Sequence, residues 1–344
     1  MTKKAAVIKG DGVGPETVDS MIKVLKACNS QIELVLCEGG SEQWEANGRK
    51  DQSYIPDSTM KLLEQSDACY KGPTATIPVP NSPRSVAVTL RQKFELYSNI
   101  RPIKTYSRIT PNHNLDFVCF REATEGLYTG LEMQLTDDVA IAIRKITRQG
   151  CRRFANASMD WAKKYNMNKV VAITKRNILK MTDGMFLDEM QAAAKRYGGI
   201  AVEELYIDNM MQQLVLNPEQ FNDSVLASTN LFMDIVSELA SGVIGSIGLV
   251  YSSNMGERFA MFEAAHGTAP TIARQNKVNP TAAILSGAWM AEYLGETEIR
   301  NAIFKAAEQV INEGKTVTSD IGGSSSTTQM TDAICQLAAE YLRK

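Results

Sequence analysis

With 344 residues the chain is long enough for two domains, each with a core of its own. Its 44% apolar and 22% charged residues are an ordinary soluble globular balance. Lys plus Arg number 37 against 39 Asp plus Glu, with no long run of one sign, so nothing electrostatic argues for nucleic acid or a membrane surface as a partner.

No stretch approaches the ~18 to 20 continuous apolar residues of a membrane span. The opening MTKKAAVIKG passes straight into a strand and a glycine turn without the apolar run of a signal peptide, so a cytoplasmic location is expected. Cys28, Cys37, Cys69, Cys119, Cys151 and Cys335 are scattered with no CxxC pair and read as reduced thiols.

Ala5 to Lys9 is a short apolar strand, GDGVGP at 10–15 a turn, and Glu16 to Cys28 a helix by the spacing of Val18, Met21, Ile22, Val24 and Leu25. The glycines invite a dinucleotide-binding reading. Pro15 and Glu16 stand where a pyrophosphate would need free approach, and a third glycine is missing at the right offset, so a tight strand-to-helix turn is favoured. A strand at Ile32 to Cys37 and a helix at Asp57 to Gln65 continue an α/β pattern.

From Lys71 to Pro83 the Pro, Thr and Ser content marks a loop. Arg84, Ser85, Arg91 and Arg101 follow, interleaved with an amphipathic helix. Guanidinium groups recognise carboxylates bidentately, so these residues suit a substrate with several carboxylates, or else lie on a solvated helix face. REATEGLYTGLE at 121–132 adds Arg121 and places Tyr128 between Gly126 and Gly130, where its hydroxyl could act as an acid or its ring could pack.

The segments Ile141–Gly150 and Phe154–Tyr165 have helical patterns. Val170 to Thr174 is a strand ending at Lys175, at the carboxyl end where open α/β sheets bind ligands, and Asn177 follows. Asp183 to Tyr197 is helical, and Val202 to Ile207 is a strand ending at Asp208. In TNLFMDIVSE at 229–238, Asp234 and Glu238 share one helical face, with Leu231, Ile235 and Leu239 as an expected buried stripe. Two neighbouring carboxylates suit a divalent cation with hard oxygen ligands, or form an ordinary solvated pair.

SGVIGSIGLVYSSNMGER is glycine-rich and ends in a loop, and EAAHGTAPTIARQNKVNP at 263–280 reads as a loop that could seat a nucleotide on Gly267 and Thr268 beside His266. Helices at Ala282–Leu294, Glu298–Asn312 and Thr331–Leu342 close the chain, separated by TSDIGGSSST.

The segments KGP, PRSVAVTLR, NIRP, REATEGLYTG, TKRNILKMTDG, IDNMMQQLV, NLFMDIVSE, EAAHGTAP and NPTAAILS occur in the order found in the β-decarboxylating dehydrogenases. The chain resembles the isocitrate, isopropylmalate and homoisocitrate dehydrogenases over essentially its whole length. That resemblance implies a two-domain α/β fold of the isopropylmalate/isocitrate dehydrogenase type rather than a Rossmann fold. A large cofactor-binding domain would comprise 1–98 and 257–344, and a small dimerisation, metal and substrate domain 99–256, with the active site in the cleft between them.

It also implies a homodimer with shared sites, a small tricarboxylate substrate, and Mg2+ or Mn2+ held by Asp234, Glu238 and, from the other protomer, Asp208. Lys175, likewise lent by the partner, would help deprotonate the substrate hydroxyl, and Tyr128 would reprotonate the product carbon. Arg91, Arg101 and Arg121 would clamp carboxylates, with Ser85 at the position distinctive of isocitrate. Cofactor contacts are implied for Thr76, Asn177, Glu263, His266, Gly267, Thr268, Ala269, Thr271, Ile272 and Asn279.

The expected reaction is oxidative decarboxylation of isocitrate to 2-oxoglutarate and CO2, the alternatives being homoisocitrate or 3-isopropylmalate, or a non-catalytic regulatory subunit. Relatives that use NADP carry lysine, tyrosine and arginine where this chain has Thr271, Ile272, Ser319 and Gly323. NAD is therefore expected and NADP is the alternative, with Arg274 and Lys277 as substitute anchors. Departures from the family pattern are Ala87 for asparagine, Met233 for glycine, Glu238 for aspartate and the prolyl loop PVPNSPRS.

Overall fold

The computed structural model describes residues 2–79 and 82–343, so Pro80 and Asn81 of the prolyl loop lie outside the described residues. The first elements are β1 (Lys4–Ile8), α1 (Gly14–Ala27), β2 (Glu33–Cys37), α2 (Ser41–Ala46), α3 (Asp57–Glu64), β3 (Ala68–Lys71) and α4 (Val86–Lys93). The middle holds β4 (Ser98–Lys104), β5 (Asp116–Glu122), β6 (Glu132–Thr136), β7 (Val139–Ala142), α5 (Arg148–Lys164), β8 (Lys169–Thr174), α6 (Thr182–Tyr197), β9 (Ala201–Tyr206) and α7 (Ile207–Leu216). Then come β10 (Ser224–Ser228), α8 (Asn230–Val243), β11 (Tyr251–Met255), β12 (Ala260–Ala264), α9 (Thr281–Tyr293), α10 (Thr297–Glu313) and α11 (Thr327–Arg343).

Ten strands form one sheet in the order β2-β1-β3-β12-β11-β4-β5-β10-β8-β9. The pairs from β2 to β12 are parallel, as are those from β5 to β9, while β11 is antiparallel to both β12 and β4, and β4 to β5. The two parallel halves therefore run in opposite directions. The expected boundary at 256/257 falls in the β11–β12 connection, across which the sheet is continuous.

Parallel strands need cover on both faces, and the sequence supplies it by alternation. Ala5 and Val7 of β1 join the main core with α1 and α9, whereas Ala6 and Ile8 face a second cluster with Trp44, Tyr54, Leu63 and Leu90. Helix α9 is apolar all round because it is buried along nearly its whole length against β12 and β11.

Three expectations are corrected. Within the segment expected to be helical, 141–147 is not: β7 pairs with β6 in a separate hairpin, and α5 begins only after Thr147, whose hydroxyl accepts from Gly150 N. The apolar residues of that hairpin recur at spacings that also fit a helix, but every residue of both strands is exposed. The glycine-rich segment after α8, expected only to end in a loop, contains β11, a polar strand at the centre of the sheet. In α8 the buried row is Met233, Val236 and Ala240, and Ile235 of the expected stripe is 46% exposed.

Candidate active site

The GDGVGP turn is a close-packing device. Asp11 N donates to Pro73 O (2.7 Å) and Val13 N to Thr268 O (3.0 Å), docking the turn against KGP and against the 266–272 loop. Gly10 and Gly12 have positive φ, and a Cβ on either would lie 2.1 Å from the carbonyl oxygen of Pro73 or Thr268. The buried Asp11 carboxylate accepts from the N–H groups of Ser41, Glu42 and Ala75, at 3.0, 2.8 and 2.8 Å, and so holds three loops together.

Arg101 on β4, Arg121 on β5 and Arg91 at the end of α4 are all buried. Arg121 Nε donates to Asn230 Oδ1 (2.9 Å), its Nη1 reaches Asp234 Oδ1, and the guanidinium lies over the Tyr128 ring at 4.9 Å. Arg101 donates to Asn99 (2.9 Å) and Ser237 (2.8 Å) and pairs with Glu238 at 3.2 Å and Asp234 at 3.5 Å. Tyr128 donates its hydroxyl proton to Asp234 Oδ2 at 2.6 Å. The start of α8 thus brings Asp234 and Glu238 to the arginines, as their spacing on one face required.

Burial lowers the Arg121 guanidinium to about 9, helped by Arg91 and Arg101 and opposed by Asp234. Like charges have been gathered against their own repulsion, and a polyanion would relieve it. Burial pushes the Asp234 carboxyl up, but Arg121, Arg101, the Tyr128 hydrogen bond and Arg91 together bring it below its ordinary value. Glu238 is raised, by burial first and by Asp234, against the pull of Arg101. Tyr128 is raised by burial and by its bond to Asp234.

Arg91 is held by Asn254 Oδ1 (2.8 Å) and Glu263 Oε1 (3.2 Å), and Glu263 also pairs with Lys71 at 2.8 Å. Expected as a cofactor contact, Glu263 has its carboxylate engaged by Lys71, Arg91 and Asn254. Ser85 stands half-buried at the N-cap of α4 and makes no side-chain capping bond. Lys71, Asn99, Asn230, Asn254 and Ser237 join the site without a role expected from sequence, although Lys71 lies in KGP and Asn99 in NIRP.

Lys175 and Asp208 are elsewhere. Arg121, Ser228 and Ile173 lie in line across β5, β10 and β8, so Lys175 leaves the sheet two strands over from Arg121 and two residues beyond that line, more than roughly 10 Å away by strand spacing. It pairs with Asp208 at 2.5 Å, and Asn177 sits in the same exposed turn. Asp208 lies in the first turn of α7 rather than at a strand end, and the Lys175 hydrogen bond depresses its carboxyl. Among the described residues no group of three His, Cys, Asp or Glu side chains could hold a metal within one chain.

Along the 266–272 loop, His266 is buried with Nδ1 3.0 Å from Gly267 O and Nε2 without a partner, and burial lowers its pKa. Ala269 has φ +38°, and Thr271 and Gly267 are exposed. Asn279 donates to Asp320 Oδ2 (3.0 Å), which also accepts from Ser246 (2.6 Å), linking this loop to TSDIGG. Arg274 pairs with Glu42 at 2.9 Å, while Thr76 is exposed in the loop after KGP.

Three buried arginines gathered on Asp234, Glu238 and Tyr128 at one sheet make a site suited to an acidic ligand. The chain belongs to the isocitrate/isopropylmalate dehydrogenase family, which it matches over residues 4–334. It is 39% identical to a mitochondrial NAD isocitrate dehydrogenase regulatory subunit of Dictyostelium discoideum, covering 99% of this chain and 94% of that protein. It is 37% identical to the 3-isopropylmalate/3-methylmalate dehydrogenase of Methanocaldococcus jannaschii, covering 98% and 99%. The crystal structure of isocitrate dehydrogenase from Methylococcus capsulatus superposes with a TM-score of 0.92 at 38% identity, covering all of both chains.

Proposed function

We propose that the protein oxidatively decarboxylates isocitrate to 2-oxoglutarate and CO2 with Mg2+ or Mn2+ and NAD. The observation that carries this reading is the gathering of buried Arg91, Arg101 and Arg121 around Asp234, Glu238 and Tyr128. Three guanidinium groups suit a tricarboxylate, and holding it costs less entropy because Asn99, Asn230, Asn254 and Ser237 already fix them. The Ser85 hydroxyl favours isocitrate over an isopropyl-bearing acid, against which it would be stranded.

Asp234 and Glu238 offer hard carboxylate oxygen donors, which fits Mg2+ or Mn2+. When bound, such an ion polarises the ketone oxygen and stabilises the enolate. Asp208, paired with Lys175, would supply the remaining carboxylate from a second copy. Tyr128 would deliver its proton to the product carbon, and Lys175 of the partner would draw the substrate hydroxyl proton.

A homodimer is supported by the exposed hairpin side chains Met133, Leu135, Val139 and Ile141, and by exposed Val215, Leu216 and Ile235 on α7 and α8. NAD is favoured because Thr271 offers no cation and Arg274 is already paired with Glu42.

Purified enzyme with each of isocitrate, homoisocitrate and 3-isopropylmalate tests the assignment. Higher kcat/KM with either of the other acids refutes it. The Dictyostelium relative's designation favours a second reading, a regulatory subunit of a heteromeric isocitrate dehydrogenase. Turnover by the chain expressed alone with Mg2+ excludes that reading.

A further inference from the structure

We propose that Arg144, half-buried, and the buried Asp183 form a positioning strut that ties Lys175 to the start of α8. The lysine a chain lends and the carboxylates it keeps would then move as one unit. This rests on the reading of Lys175 as a residue lent to the partner's site.

The Asp183 side chain, only 1% exposed in the first turn of α6, serves two partners at once. Its Oδ2 accepts the backbone N–H of Lys175 at 2.6 Å, and its Oδ1 accepts from Arg144 Nη1 at 2.7 Å. The Lys175 carbonyl accepts from Ile178 and Leu179 N–H at 2.9 and 2.8 Å, so both polar groups of its backbone are fixed. Arg144 also donates from Nη1 to Thr182 Oγ1 (2.6 Å) and from Nη2 to Thr229 Oγ1 (2.8 Å), with its guanidinium 5.3 Å from the Phe232 ring centre.

Thr229 is the N-cap of α8, and its carbonyl accepts from Met233 N–H at 3.1 Å, one residue before Asp234. One guanidinium fork therefore bridges the Lys175 turn and the helix bearing Asp234 and Glu238. Arg144 follows β7 closely, and Ile143 N donates to Leu131 O at 2.8 Å, so the strut is also rooted in the exposed hairpin. In a dimer with exchanged lysines, a shift at one site would reach the other through this link.

A carboxylate at a helix N-terminus also stabilises the helix, so the test needs a readout that a merely structural role would leave alone. Asp183→Asn keeps the shape and removes the charge. The expected result is kcat lowered by at least roughly tenfold with KM for isocitrate changed by less than about threefold, because a misplaced lysine slows chemistry more than binding.

Mixed dimers sharpen it. Chains carrying Lys175→Met are combined with chains carrying Asp234→Asn, so that one intact site forms, with its lysine lent by the Asp234→Asn chain. Adding Asp183→Asn to that lending chain should lower the restored activity by the same factor. Arg144→Lys keeps the charge and loses the fork, and should lower kcat in the same direction should Asp183→Asn not fold.

Wild-type kcat in Asp183→Asn or in Arg144→Lys overturns the strut, as does a mixed dimer indifferent to Asp183→Asn on the lending chain. Full turnover by Lys175→Met homodimers refutes instead the reading of the lysine, whatever Asp183→Asn does.

Discussion

Replacing Glu263 by glutamine isolates one buried charge whose consequences can be worked out. Burial alone would raise this carboxyl, but Lys71 and Arg91, with the Lys71 and Asn254 hydrogen bonds, bring it down from 4.5 to about 2. A depressed carboxyl contributes stability that is complete above its unfolded value and is lost as pH falls toward the folded one. A shift of that size corresponds to about 3 kcal/mol at pH 7, falling to between about 1 and 2 kcal/mol at pH 3. Glutamine removes this contribution and leaves Lys71 and Arg91 buried without their anion, a loss on the order of 3 to 5 kcal/mol. Urea unfolding followed by tryptophan fluorescence, on wild type and Glu263→Gln at pH 7 and near pH 3, measures both quantities. The stability gap should be several kcal/mol at neutral pH and narrow on acidification. A gap below about 1 kcal/mol at pH 7, or one that widens at low pH, refutes the assignment of a buried, ionised Glu263.

Asp234→Asn should lower kcat by at least roughly 100-fold in assays with saturating Mg2+, and unchanged turnover would remove it from the metal set. Arg121→Lys keeps a charge but loses the planar fork shared by Asn230 and Asp234, so KM for isocitrate should rise by about tenfold or more while circular dichroism stays native. Ile141→Asp together with Met133→Lys on the exposed hairpin should shift sedimentation toward a slower, inactive species; a fully active monomer contradicts the shared site. Arg274→Ala should leave the NAD over NADP ratio of kcat/KM within about threefold, whereas a collapse of NADP use would identify it as a phosphate anchor.

The strands legible from sequence were short apolar runs closed by turns, such as β1, β2 and β8. Strand β11 was not, because its residues Ser252, Ser253 and Asn254 are polar and buried. Most of that polarity is matched inside the sheet: Ser252 donates to Glu263 O at 2.9 Å, the Ser253 carbonyl accepts from Asn99 while its buried hydroxyl has no partner, and Asn254 links Arg91 to Glu263. Hydrophobic periodicity cannot register a strand whose interior is a hydrogen-bond network. Helix α8 shows another limit, since Leu231, Ile235 and Leu239 form as good an apolar row as Met233, Val236 and Ala240, and only packing decides which row is buried.

The candidate site divides in the same way. Asp234 and Glu238 were legible because four residues of helix set their common face, and the arginines because three motifs each carried one. Their meeting was not legible from spacing, since α4, β4, β5 and α8 are joined by the strand order and by polar partners such as Asn230 and Asn254. Arg144 carried no motif signal, and Asp183 stood in TKRNILKMTDG with no role of its own: 39 positions apart, they are linked only once β7, α6 and α8 converge. A buried carboxylate shared by a guanidinium and a backbone N–H costs desolvation that the fold recovers only if both partners hold it. That cost makes the pair a sensitive gauge of whether Lys175 and α8 are rigidly joined, because removing either partner leaves the other charge buried and displaces whatever it was holding.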